Sequence, residues 1–539
     1  MTKINGSDFL DELLHVLASN DMIKGRLLVD GFAALDGKWQ NQALTELSRS
    51  DTDTAVSLLA CLACGKEYAV PQLVIRSFLL KSSLDKPAHL LHLLKDGGDF
   101  SKRILVEISG KMELKEAVPS LLNILDESRD LELLRAALTS LGAISSPESI
   151  STISDYLYSG NRELVVAAIQ ALSNIDRPES VHCLTERMGT DSDLDLLILD
   201  SLAELQDQLA LDTLSDGLRS PYAHIRNHAR SRLTAIGAKA IPTLTANLGD
   251  PDTDFQVLIL NTLGFIGDDS SVRAIRKLLH DEPENANVRF AAYEALGMMP
   301  LEKGAYVLAD GLADSEDHVR IATAKAIERN CTDILIAGIR NMLQAGGSEA
   351  ERVVSAFLNV EAYKVVLLVA DLPEFQDLAV DFLTARAHPD LRHQFEKLFR
   401  ERGYPELADR LGQGETTEKA KQLIYAVDDS RMILSIYKNV LFEIGVEPHL
   451  FEFPASAIEQ VKKCKPDLIF TDLNMPEISG VELTRNIRAL YSKKDLPIIM
   501  VTTQSENSDF DEAYEIGVNK ILTKPFTPED LRGAIDGLV

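Results

Sequence analysis

Cysteine, cationic residues and long apolar runs are all scarce in this chain. Five cysteines among 539 residues do not make a disulfide framework. Only Cys61 and Cys64, in ACLACG, have a suggestive spacing. A redox CxxC follows a strand at a helix start, whereas this pair lies in an alanine- and leucine-rich helical run, so both read as buried structural thiols. The longest apolar runs, such as VVLLVA at 365–370, fall far short of the roughly 20 residues that span a bilayer. Membrane insertion is therefore not expected. Asp8, Asp11 and Glu12 stand where a secretory signal needs an apolar core, so a cytoplasmic location is expected.

Positive charge is outnumbered: 55 Lys and Arg face 83 Asp and Glu, a formal net charge of -28. With no Lys/Arg-rich block to offset it, that balance repels a polyphosphate backbone and excludes nucleic acid as a partner. The length matches about three or four ordinary domains, or one elongated solenoid with something attached.

The chain repeats itself. An apolar helix ending in Leu-Gly or a similar pair recurs, with equivalent positions at Ile108, Leu141, Leu172, Leu202, Leu233, Leu263, Leu296 and Ile327, spaced 30–33 residues apart. Each unit holds two apolar patterns of helical spacing. In one, Phe255, Leu258, Ile259 and Leu263 precede Val272, Ile275, Leu278 and Leu279, with a break at Gly267-Asp268-Asp269. Such a helical hairpin cannot bury both apolar faces alone, so neighbours must stack into a curved all-α solenoid. The repeats are clearest over 105–345; 30–60 and 70–105 are degenerate but helical, and 355–410 reads as further helices capping the open end. The solenoid is expected over 1–411.

The stretches DPDTDFQVLILNTLGFIGD, ENANVRFAAYEALG and DSEDHVRIATAKAI resemble short HEAT repeats of the kind found in phycobiliprotein-lyase families. In that family an aspartate and a Val-Arg pair recur where the first helix begins. They are matched here by Asp317, Val319 and Arg320, by Val288 with Arg289, and by Arg226 after Ile225. The arginines read as a structural ladder, each bonding a neighbouring turn, with a ligand-binding ladder as the competing reading. A solenoid of this kind implies a protein partner whose identity the repeats do not specify.

Enzymatic readings of the repeats are weak. His224 and His228 have the spacing of two metal ligands, but HIRNH lacks the glutamate base of an HExxH peptidase. No His-Glu dipeptide occurs, and HEAT-repeat iron hydroxylases rely on such pairs. His89 and His92, in AHLLHLL, read as one helix face rather than a site. Bilin-lyase-like activity survives only as an alternative by resemblance.

After GQGETTEKAK at 412–421, read as a linker, strand and helix alternate. LIYAV, HLFEF, DLIFT, PIIMV and KILT are separated by helical segments at 430–444, 455–464, 479–492, 508–516 and 527–538. Five strands alternating with five helices make an α/β doubly wound parallel sheet over 422–539. Ligands of such sheets bind beyond the C-terminal strand ends. There the sequence places Asp428 and Asp429 after the first strand and Asp472 at the end of the third. Three converging carboxylates call for a divalent cation, and Mg2+ fits because it also accepts phosphate oxygens. Thr502 closes the fourth strand with a hydroxyl and Lys524 the fifth with a positive charge, which completes an anion-accepting site.

VDDS, FTDLNMPEISG, MVTT and TKPF closely resemble the receiver domains of two-component response regulators, including the chemotaxis type. The resemblance implies a flavodoxin-like strand order of 2-1-3-4-5, and it implies that Asp472 is phosphorylated by a phosphohistidine of a histidine kinase or phosphotransfer protein. By the same resemblance Asp428, Asp429, Asp472 and the Asn474 main-chain carbonyl organise Mg2+, and Thr502 and Lys524 bind phosphoryl oxygens. Lys524-Pro525 is where receivers carry a cis peptide, and Asn474 and Gln504 sit where side chains influence hydrolysis of the acyl phosphate. One departure stands out: the position three before the lysine is usually aromatic and is Ile521 here, so a switch must run through Thr502, the 503–511 loop and smaller side chains.

No segment long enough for an output domain follows the last helix, so the output is expected upstream. The leading expectation is a response regulator whose phosphorylation alters a HEAT-repeat protein-binding scaffold. A phosphate sink tethered by the solenoid, or a receiver-regulated lyase, are the alternatives. Beyond its own phosphorylation chemistry the chain is not expected to be an enzyme.

Overall fold

The structure, a computed structural model, describes residues 5–64, 68–96, 102–189, 191–301, 305–412, 422–443, 446–475, 478–502, 513–524, 526 and 528–538. Its contacts divide the chain into two compact units, Met1–Ala210 and Leu211–Val539. The second holds the later repeats together with the sheet.

The first unit is helical. Among the later hairpins, Leu131–Ile144, Arg162–Ser173 and Ser192–Leu205 are first helices. Each starts on a side chain that accepts from the first-turn amides, namely Asp130, Asn161 and Asp191. The recurring Leu-Gly pair has a packing cause: a Cβ on Gly142 would sit 2.6 Å from the Ala171 Cα of the next repeat. Leu141 and Leu172 are fully buried, each stabilising the stack by about 1.5–3 kcal/mol.

Two smaller expectations resolve differently. His89 and His92 do share one helix face, on Pro87–Asp96, where His89 bonds Asp53 at 2.5 Å and Asp51 at 2.9 Å and His92 bonds Asp53 at 2.7 Å. The thiols are not both buried. Cys61 is half-buried, but Cys64 is exposed and free, because the helix Asp53–Ala63 ends one residue before it and its backbone caps the turn.

In the second unit the first helices of successive hairpins are α1 (Ala223–Ile236), α2 (Thr253–Ile266), α3 (Ala286–Met298) and α4 (Asp317–Arg329). A Cβ on Gly264 would meet the Ala295 Cα at 3.1 Å, and one on Gly297 the Ala326 Cα at 2.9 Å. The same small-residue contact therefore sets the spacing of these helices. Further along lies α5 (Pro389–Glu401).

The sheet is β1 (Leu423–Val427), β2 (Glu447–Phe451), β3 (Leu468–Asp472), β4 (Ile498–Thr502) and β5 (Lys520–Thr523), all parallel, in the order β2-β1-β3-β4-β5. Its helices are α6 (Arg431–Glu443), α7 (Pro454–Lys463), α8 (Gly480–Arg488) and α9 (Pro528–Ile535). Alternation along β1 serves both faces: Ile424 and Ala426 pack with Tyr437, Phe470 and Leu531, whereas Tyr425 and Val427 pack with Val461, Leu483 and Ile487. Linker residues 413–421 lie outside the described residues.

The second strand sits two residues earlier than HLFEF predicts. Val427 pairs with Phe451, so Glu452 and Phe453 have left the sheet. Phe453 is 60% exposed and serves as the extended residue before Pro454.

Candidate functional site

The C-terminal ends of β1, β3, β4 and β5 converge on one cleft. Asp472 is the last residue of β3, paired with Val501 of β4, and the chain then folds back so tightly that the Gly480 N–H donates to the Leu473 carbonyl at 2.9 Å. A Cβ at Gly480 would lie 2.1 Å from the Asp472 carbonyl oxygen. Ser479 caps α8 in a reciprocal box with Glu482, which fixes the return of this loop. Asp428 follows β1: its N–H donates to the Phe451 carbonyl at 3.1 Å, and its Oδ1 accepts from the Ser430 N–H at 3.0 Å.

Lys524 closes the arrangement from β5. Its N–H donates to the Thr502 carbonyl at 2.7 Å, and its Nζ donates to Asp428 Oδ2 at 2.6 Å and to Asp472 Oδ1 at 3.1 Å. Carboxylate oxygens of Asp428, Asp429 and Asp472 lie within 4.8 Å of one another. Thr502 is almost fully buried beside them. The structure thus brings together Asp428, Asp429, Asp472, Asn474, Thr502 and Lys524, whereas Gln504, Pro525 and the 503–511 loop lie outside the described residues.

The electrostatics follow from burial. Asp428, 1% exposed, is pushed up to about 7 by desolvation together with Asp472 and Asp429, against the pull of Lys524. Asp429 rises to about 6 for the same first reason, with Asp472 adding to it and Arg230 opposing. Burial disfavours the Lys524 ammonium, yet Asp428 and Asp472 outweigh that and hold it above the usual lysine range.

The cleft is not left open. Arg226 of α1 donates to the Ser220 carbonyl at 2.7 Å and to Asn474 Oδ1 at 3.1 Å. Beside it Asn227 Nδ2 donates to the Met475 carbonyl at 3.0 Å. From α3, Asn287 Nδ2 donates to the Lys524 carbonyl at 2.8 Å, and Glu294 Oε1 accepts from Ser430 Oγ at 3.3 Å. Glu294 is pushed up to about 7, mainly by burial and then by Asp428. Phe290 packs against the core around Ile433 and Tyr437. On α5, Asp390 pairs with Lys438 at 3.4 Å, and His388, which caps that helix, meets the Phe442 ring edge-on at 4.5 Å. Between repeats and strand ends remains a cavity of about 450 Å³, lined by Arg230, Glu294 and Arg329 on one side and Asp429, Asp472 and Lys524 on the other.

The description "Response regulator receiver domain" matches residues 424–536, and "HEAT repeats" matches 118–199 and 241–328. The chemotaxis protein CheY homolog of Campylobacter jejuni is 36% identical over 118 residues, which cover 22% of this chain and 91% of that protein. The chain belongs to the response-regulator receiver family. The response regulator is likewise similar to chemotaxis protein CheY1 of Helicobacter pylori, at 36% identity over 21% of this chain and 93% of that one. The solved structure of chemotaxis protein CheY4 of Vibrio cholerae is 30% identical, over 22% of this chain and all of that one, with a TM-score of 0.22. The repeats match HEAT repeats in general, which lends no support to the narrower likeness to phycobiliprotein lyases. Receiver domains of this kind are regulatory modules.

The arginine ladder is structural in two of its rungs. Arg289 of the response regulator forks onto Asp314 at 2.7 and 3.1 Å and bonds the Pro283 carbonyl at 2.8 Å. Arg320 bonds the Asp314 carbonyl and Asp317. Arg226 does both jobs: it bonds its own turn and crosses to Asn474. The sequence reading missed Asn227, Asn287, Glu294 and Ser430 as parts of the site, since nothing local distinguishes them from solvent-facing polar residues. No described helix is long and apolar enough to cross a membrane.

Proposed function

We propose that the response regulator accepts a phosphoryl group on Asp472 from a histidine kinase or phosphotransfer protein, and that the repeats holding its cleft are the output. The observation that carries this reading is Lys524 Nζ within hydrogen-bond distance of both Asp428 and Asp472, at the mouth of a parallel sheet whose neighbouring strand ends in Thr502. An Asp472 carboxylate oxygen attacks phosphorus, the phosphorus–nitrogen bond of the donor breaks, and the imidazole leaves with that electron pair and takes up a proton. Lys524 then follows the new negative charge and Thr502 donates to a phosphoryl oxygen.

The hard oxygen donors Asp428, Asp429 and Asp472 lie close enough together to suit Mg2+, with the Asn474 main-chain carbonyl as a further oxygen. Bound there, the ion supplies charge neutralisation for a carboxylate meeting a phosphoryl dianion. We take 422–539 as the receiver, 412–421 as the linker and 1–411 as the solenoid, in a cytoplasmic protein. A further protein partner binds the solenoid. The hydrogen bonds from Arg226, Asn227 and Asn287 to the cleft loops favour a coupled output over a passively tethered phosphate sink.

The test is intact mass after incubation with a small acyl phosphate and Mg2+. A gain of one phosphoryl group in the wild type and none in Asp472→Asn supports the reading. Equal gain in both proteins, or none in either while both are folded, overturns it.

A further inference from the structure

Arg230 on α1 differs from the other cations near the cleft. It is only 8% exposed, and among the described residues its guanidinium makes no ion pair or hydrogen bond. Its guanidinium carbon lies 5.3 Å from the centre of the Phe265 ring, and its charge acts on the Asp429 carboxylate of the cleft. Its donor nitrogens are not among the fully buried, unpartnered atoms, so they remain accessible from the cavity they line. The neighbouring cations are already engaged: Arg226 on Ser220 and Asn474, Lys325 on the Val360 carbonyl, and Arg329 on the Gly297 carbonyl.

The space beside Arg230 is the cavity of about 450 Å³ that also exposes Asp472 and Lys524. Phosphorylation of Asp472 would replace one carboxylate charge by a group of nearly twice that charge carrying three strong acceptor oxygens. Thr502 and Lys524 approach from the strand ends, which leaves the side toward the repeats. A planar five-donor fork suits that task better than an ammonium.

We propose that Arg230 is a phosphoryl ligand lent by the repeats: with Asp472 phosphorylated, its guanidinium bonds the oxygens that face α1. The α1–α3 surface is then a receptor for the phosphorylated cleft, and phosphorylation tightens the docking that Arg226, Asn227 and Asn287 already define. This rests on Asp472 being the phosphorylated residue.

The experiment is calorimetric titration of the full chain with beryllium fluoride, a phosphoryl stand-in, in the presence of Mg2+. Arg230→Gln should bind about tenfold more weakly than wild type, the size expected for a charge-assisted hydrogen bond, and Arg230→Lys should fall between. Equal affinity in wild type and Arg230→Gln overturns the proposal. A second reading needs no variant: hydrogen exchange across Ala223–Ile236 of the wild type should slow when beryllium fluoride binds, and unchanged exchange overturns the proposal. Wild type that gains mass from an acyl phosphate but gives either negative result overturns this inference alone. Wild type that neither gains mass nor binds overturns the phosphorylation reading, and this inference with it.

Discussion

Asn287 on α3 donates its side-chain amide to the main-chain carbonyl of Lys524 at 2.8 Å, and the same lysine's ammonium bridges Asp428 and Asp472. One residue thus carries both the charge at the centre of the cleft and a contact to the repeats. Any displacement of Lys524 toward a new anion is felt at α3. Removing the amide in Asn287→Ala should cost about 1 kcal/mol of docking and speed hydrogen exchange in Ala286–Met298. Unchanged exchange there would mean that the contact contributes nothing to docking.

Gly480 tests how tightly the loop after Asp472 is built. A methyl group there must displace the Asp472 carbonyl, and backbone cannot yield as a flexible side chain can. Gly480→Ala should lower the stability of the receiver by about 2–3 kcal/mol, read as an earlier urea transition by near-ultraviolet dichroism. A transition coincident with wild type would contradict the close approach.

Much of this was legible in the sequence because the receiver keeps its chemistry at strand ends. LIYAV and KILT coincide with β1 and β5, and Asp472, Thr502 and Lys524 lie where the alternation puts them. Periodicity could not place β2, since Glu447–Phe451 is fixed by pairing with β1 rather than by its own apolar pattern. The Leu-Gly signature was visible as a repeat, but its cause, backbone contact with the next helix, needed the packing. The repeat side of the cleft was invisible for a different reason. Arg226 and Asn474 are 248 residues apart, and Asn287 and Glu294 read locally as ordinary polar positions on a solenoid helix.

Ile521 stands where an aromatic is usual in the receivers this chain resembles, and it packs on a cluster that includes Ala223, the first residue of α1, with Leu473, Val481 and Met500. Ile521 is only partly buried, so Ile521→Ala should loosen the contact with the repeats as well as the strand by about 1–2 kcal/mol in total, less than a fully buried isoleucine would. Hydrogen exchange should rise in both Lys520–Thr523 and Ala223–Ile236. A rise confined to the strand would show that this position does not communicate with α1.

His89 sets a pH dependence in the first unit. Hydrogen bonding to Asp51, opposed by partial burial and assisted by Asp53, raises its pKa above the usual 6.5. A raised folded-state value means that the stabilisation is complete below the unfolded pKa and is lost as pH rises through the folded one. The thermal midpoint of wild type relative to His89→Gln should be higher at pH 5.5–6 and the gap should narrow toward alkaline pH. His89 and Asp53 are only partly buried and Asp51 is exposed, so solvent screening should keep the contribution modest. A gap that widens with pH would contradict the assignment.

Mg2+ should raise the thermal midpoint of the receiver through preferential binding to the folded state, and a chelator should reverse it. Asp429→Asn removes one of the three clustered carboxylates and should weaken Mg2+ binding at least tenfold by the same calorimetric measure. Undiminished affinity would place the ion elsewhere.

The central claim is that phosphorylation of Asp472 is felt by the repeats that hold its cleft. The most direct measurement is hydrogen exchange across residues 211–412 before and after treatment with a small acyl phosphate and Mg2+, with intact mass recorded on the same samples. The account predicts changed protection in Ala223–Ile236 and Ala286–Met298 that appears with the phosphoryl mass and is absent in Asp472→Asn. Full phosphorylation of the wild type with an unaltered exchange pattern across those helices would contradict it.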